Sequence, residues 1–149
     1  MRIIGGRHRG AKLADLAGSK TRPTADRVRE SIFNIIASGH YGSPLISGIV
    51  LDLFAGTGAI GLEALSRNAA KAHFVENDSV ALAVLRENVD KLQRMDDCKV
   101  IAGDATRLKK WRGDPPNLVF ADAPYGTGDG LRAVANLHTI GALCSGSLV

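Results

Sequence analysis

The run DLFAGTGAIG, residues 52–61, follows the apolar stretch Ile49-Val50-Leu51 and leads into a helical pattern, Ala59 to Ser66. Ile60, Leu62 and Leu65 are the apolar contacts expected of that helix. A buried strand, a glycine loop and a helix in this order place a helix N-terminus behind a backbone that a ligand can approach closely. Gly56, Gly58 and Gly61 satisfy the G-x-G-x-x-G dinucleotide pattern, a weak match by itself. Asp52, four residues before Gly56, refines it. A carboxylate is a poor neighbour for a pyrophosphate and a good one for an ammonium group. S-adenosylmethionine carries a sulfonium and an ammonium and no phosphate, so the loop favours that cofactor over NAD. A glycine-rich turn that holds nothing is the plainer alternative.

Outward from this loop, the chain alternates between strand and helix patterns. Ala72–Val75 reads as a second strand, and Ser79–Leu92 as a helix capped by Ser79. Lys99–Ala102 and Leu118–Ala121 read as a third and a fourth strand. Residues 129–142 read as a helix, and Ser147-Leu148-Val149 as the opening of a fifth strand. Upstream, Thr24 is expected to cap a helix from Ala25 to Gly39, with Val28, Ile32, Phe33, Ile35 and Ile36 on one stripe. Residues 42–48 form a loop. Such alternation predicts an α/β fold, a parallel sheet with helices on both faces.

In open sheets of this kind ligands bind beyond the carboxyl ends of the strands. Three more acids stand at strand ends. Glu76 lies 18 residues past Gly58, near the roughly 20-residue offset of a ribose-binding acid, and can accept both ribose hydroxyls. Asp104 ends the third strand, placed to accept from an adenine amino group. Asp122-Ala123-Pro124-Tyr125 ends the fourth. Asp122 and the carbonyl of Ala123 can both accept from an exocyclic amine, and Tyr125 offers a face on which an extruded base can stack. The alternative for this stretch is a Pro-Tyr turn with a core tyrosine. Phe54 in the loop, Asn77 beside Glu76 and Ala105 beside Asp104 complete the expected cofactor contacts.

The 149 residues are 45% apolar and 23% charged, the composition of one globular domain. No apolar run is long enough for a membrane span or a signal peptide, so a cytoplasmic protein is expected. Cys98 and Cys144 have no CxxC spacing, and the four histidines are scattered, so neither a disulfide scaffold nor a metal is expected. Met95 and Trp111 are expected to pack. Charge is uneven: residues 1–30 hold eight of the nineteen Lys and Arg against three of the fifteen Asp and Glu. A basic arm on a near-neutral body suggests a polyanion partner. The alternative is a solvated face. Residues 2–13, with Gly5, Gly6 and Gly10 as turn material, read as a short strand pair or an extended arm.

Together, residues 52–61, Glu76, Gly103-Asp104 and residues 122–125 resemble the successive motifs of class I S-adenosylmethionine-dependent methyltransferases. The last is similar to the (D/N/S)PP(Y/F) motif of enzymes that methylate exocyclic amines of nucleobases. RIIGGRHRGAKL, followed by TRPTADRVRESIFN, is similar to the bacterial 16S ribosomal RNA guanine-N2 methyltransferase family. The resemblance covers nearly the whole chain. It implies a Rossmann-like domain over residues 41–149 and an RNA-docking arm and helix over residues 1–40. Arg7, Arg9, Lys12, Arg22 and Arg27 are then candidate phosphate contacts, on 16S RNA or an assembling small subunit, in a monomeric enzyme. Asp122, Ala123, Pro124 and Tyr125 become the catalytic segment. Ala123 stands where the family usually has proline. The chain also stops short of the family's last strands, as a truncated sheet would. Three rivals remain: a methyltransferase for adenine or another exocyclic amine, an NAD-dependent oxidoreductase, and a non-catalytic RNA-binding module.

Overall fold

The computed structural model describes residues 1–17 and 23–149. Four parallel strands form the sheet: β1 (Ile49–Asp52), β2 (Lys71–Glu76), β3 (Cys98–Ala102) and β4 (Leu118–Phe120), in the order β3-β2-β1-β4. The crossovers are α2 (Ala59–Ser66) between β1 and β2, and α3 (Ser79–Lys91) between β2 and β3. Two further helices, α1 (Pro23–Ala37) and α4 (Asp129–Thr139), precede and follow this unit. Leu148 pairs with Leu118 in parallel, so the expected fifth strand is present as a single bridge at the β4 edge.

Period-two alternation explains the two cores. Val50, Ala72, Phe74 and Leu118 face one side, where Phe33 of α1, Leu62 and Leu65 of α2, and Leu82 and Leu85 of α3 cover them. Leu51, Val75 and Val119 face the other side, under Ala133 and Leu137 of α4. Helices therefore lie on both faces, and the fold is the Rossmann-like α/β sheet expected. Trp111 packs on this second side, its ring 5.5 Å from that of His73.

Four local expectations are corrected. α1 starts at Pro23, not Ala25, because proline's fixed φ and missing N–H suit a first helical turn. α3 is capped by Asp78, whose carboxylate accepts from the Ala81 amide at 2.8 Å, not by Ser79. Met95 is exposed rather than packed. On α1, Phe33 and Ile36 are buried, but Val28, Ile32 and Ile35 are 52%, 39% and 57% exposed. The helix turns only a narrow stripe to the sheet, shared with the buried Arg29.

The N-terminal arm is a small antiparallel hairpin, with Arg2 opposite Lys12. Its Ile3 and Leu13 are buried in the first core. The buried carboxylate of Glu63, in α2, accepts from the Ile4 and Gly5 amides, each at 2.8 Å, and from Arg67 Nε at 2.7 Å. Arg29 Nε lies 3.8 Å from the same carboxylate. Asn88 of α3 holds the other strand of the hairpin, accepting from the Ala14 amide at 2.7 Å and donating to the Ala14 carbonyl at 3.1 Å. The arm's backbone is thus fastened to α2 and α3, while the side chains of Arg7, Arg9 and Lys12 remain exposed.

Candidate functional site

The carboxyl ends of β1, β2 and β4 bring Asp52, Glu76 and Asp122 to one side of the sheet, around the loop 54–58. The three glycines of the loop and the start of α2 serve two purposes. A Cβ on Gly61 would stand 2.3 Å from the Phe74 ring, and one on Gly58 would stand 2.2 Å from Leu85. These two allow α2 to sit tightly on β2 and α3. Gly56, at φ +52°, has open space where a Cβ would stand, so a ligand can approach its backbone closely.

Asp52 is only 1% exposed, and neither carboxylate oxygen has a hydrogen-bond partner. Burial pushes its carboxyl up to about 7. The nearby Gly61 amide works against that rise without completing a hydrogen bond, and the charges of Asp122 and Glu76 add to it. An unpartnered buried carboxylate is costly, and either a proton or a nearby cation relieves it.

Glu76 Oε2 accepts from the Gly56 amide at 2.7 Å, while Oε1 accepts from the Asn77 and Asp78 amides at 2.9 and 2.8 Å. Asn77 itself is exposed. Asp104 caps a single 3-10 turn, Ala105–Arg107, by accepting from the Thr106 amide and hydroxyl. Those two bonds hold its carboxyl below the usual range. Ala105 is buried beneath it.

Asp122 lines a cavity of about 480 Å³, together with Phe54, Gly56 and Thr57 of the loop, Phe120, and Val28, Ile32 and Phe33 of α1. The amine-holding candidate and the glycine loop thus share one cavity. Ala123 is half-buried, and Pro124 and Tyr125 are exposed, which removes the core-tyrosine alternative. A second groove, about 650 Å³, runs between the hairpin and α1 and is lined by Arg2, Arg9, Arg27, Asp26 and Glu30 among others. Arg9 and Arg27 both line it, whereas Arg7 and Lys12 do not. Arg22 lies outside the described residues. Among the described residues, no three His, Cys, Asp or Glu side chains gather as metal ligands.

Sequence reasoning missed Glu63, Arg29 and Asn88, which hold arm and helices together beside this crevice. A charge inside the otherwise apolar run AIGLEALS was the one available signal for Glu63.

The chain is similar to proteins named ribosomal RNA small subunit methyltransferase D. It is 41% identical over 128 residues to that of Escherichia coli K12, covering 86% of this chain and 62% of that protein. To that of Haemophilus influenzae it is 36% identical over 128 residues, covering 84% and 64%. The chain therefore spans a little under two thirds of the length of these relatives. The solved structure of Escherichia coli yhhF superposes with a TM-score of 0.82 at 39% identity, over 97% of this chain and 75% of that one. The model of the family described as conserved hypothetical protein 95 matches residues 1–149, and the chain belongs to that family.

Proposed function

We propose that this chain holds the catalytic site of an S-adenosylmethionine-dependent methyltransferase, and that its substrate is the exocyclic N2 amine of a guanine in small-subunit ribosomal RNA. One observation carries the reading. Asp122, an acceptor suited to an amine, lines the same cavity as the glycine loop, beside the unpartnered buried carboxylate of Asp52. Relatives named as small-subunit ribosomal RNA methyltransferases support the substrate class. A cytoplasmic location follows from that substrate.

The residues fit the cofactor. Asp52 lacks a partner of the charge that an ammonium supplies, and Gly56 leaves open space beside its backbone. Glu76 keeps lone pairs beyond its three amide bonds for ribose hydroxyls. Asp104 is positioned by Thr106 to accept from the adenine amine. Phe54, Gly58, Asn77 and Ala105 complete the surround. When bound, the cofactor supplies an electrophilic methyl on a sulfonium.

What remains for this chain is orientation. A guanine amine is a poor nucleophile because its lone pair delocalises into the ring. Asp122 and the Ala123 carbonyl accept from its two N–H groups and turn the lone pair outward, and Pro124 limits the movement of that segment. Orientation of this kind contributes up to roughly 7–11 kcal/mol in favourable cases. As the amine gives up electron density its protons acidify, so these hydrogen bonds strengthen in the transition state. Tyr125 stacks on the extruded base. Arg7, Arg9, Lys12 and Arg27, with Arg22, hold backbone phosphates, which position RNA without reading its sequence.

Isothermal titration tests the cofactor half. Micromolar binding of S-adenosylmethionine, weakened in Asp52→Asn, supports the reading. Binding of NAD in its place would return the oxidoreductase alternative.

A further inference from the structure

The proposed reaction leaves the exposed apolar edge of α1 without a role. Single exposed apolar residues are ordinary. Val28 and Ile32 differ because they stand one turn apart and both open into the cavity that holds Asp122. Phe54 and Phe120 line the same cavity. Its volume, about 480 Å³, is within the range of small-molecule sites. Among the described residues, Asp122 is the one acid in its lining. Among the described residues, Arg29 is the one basic side chain there, and it is already engaged by Asp26, the Arg2 carbonyl and Glu63.

Resting on the function proposed above, we propose that Val28 and Ile32 form the wall against which the planar target base lies, with its amine directed to Asp122. The lining selects for this occupant. An apolar slot with a single carboxylate complements a planar base, whose ring face packs on the apolar side chains while its edge turns an amine donor to the acid. The amino-acid end of the cofactor is a poor match, because it carries an ammonium and a carboxylate. Its carboxylate would be repelled by Asp122. α1 is then a specificity-determining element, fixing how far a base can enter beside the methyl donor.

Ile35 supplies an internal control. It lies on the same helix, is more exposed than either and is not in the cavity lining. The experiment uses the full chain, labelled S-adenosylmethionine, and small ribosomal subunits from Escherichia coli deleted for ribosomal RNA small subunit methyltransferase D. The variants are Val28→Ser, Ile32→Ser, their double, Ile32→Val and Ile35→Ser. The double variant is expected to lose about tenfold or more in kcat/KM for subunits, the scale on which apolar pockets discriminate. Its cofactor affinity should stay within about twofold, and its melting temperature near that of wild type. Ile32→Val should retain most activity, and Ile35→Ser should match wild type. An unchanged double variant would overturn the inference, as would an equal loss in Ile35→Ser or a loss that tracks weaker cofactor binding. Those results leave the proposed function standing on an active wild type. A wild type that methylates no subunit overturns both.

Discussion

The Glu76 carboxylate accepts the Gly56 amide at 2.7 Å, which ties the end of β2 to the glycine loop that follows β1. Its other oxygen takes two amides at the start of α3. One side chain therefore sets the shape of the crevice before any ligand enters. Glu76→Ala should weaken S-adenosylmethionine binding by about 1–3 kcal/mol, since it removes acceptors for ligand and loop together. It should also lower the melting temperature. Wild-type affinity in this variant, read by calorimetry, would contradict the assigned position of the ribose.

Asp52 carries a pH signature. Its carboxyl titrates near 3.8 in the unfolded chain and near 7 when folded, so the folded state holds the proton more tightly. Its stabilising effect is complete below about pH 4 and is lost as pH rises to about 7, at roughly 1.4 kcal/mol per pH unit at most. Chemical unfolding across this window should show wild type losing stability relative to Asp52→Asn as pH increases. Equal pH slopes for the two proteins would show that Asp52 is not buried as described.

Glu63 fastens the arm. Glu63→Ala leaves Arg67 and the nearby Arg29 without their buried partner and two arm amides without an acceptor. Breaking such a pair costs about 3–5 kcal/mol. Hydrogen exchange should speed up first at the Ile4 and Gly5 amides. Unchanged protection at those two amides would argue against this anchor.

Because the arm's backbone is fastened and its basic side chains are free, the two roles separate by mutation. Arg7→Ala with Arg9→Ala should leave the melting curve unchanged and weaken RNA binding. The log–log salt slope of RNA affinity should flatten by roughly 0.7–0.9 per lost phosphate contact. A lowered melting temperature with an unchanged slope would make these arginines packing residues.

The sheet was legible because its signals are local. Apolar strands end in acids, glycines follow, and amphipathic runs lie between. The four acids and the glycine loop could be placed from strand ends alone. What stayed hidden depends on distant partners or on which side of a helix meets a neighbour. Glu63 finds the Ile4 amide 59 residues away, and Asn88 finds Ala14 across 74 residues. The apolar periodicity of α1 is genuine. Periodicity cannot separate Phe33, which enters the core, from Val28 and Ile32, which line an open cavity. Asp78 outcompeted Ser79 as a cap because the helix begins at Ser79 itself, one residue earlier than a Ser79 cap would allow.

The central claim is amine methylation directed by Asp122. Its most direct test is nucleoside analysis of small ribosomal subunits incubated with labelled S-adenosylmethionine, using wild type and Asp122→Ala. The account predicts N2-methylguanosine in the small-subunit RNA with wild type, and at least a hundredfold slower transfer with Asp122→Ala at nearly unchanged cofactor affinity. Label on another base, or normal turnover in Asp122→Ala, would contradict it.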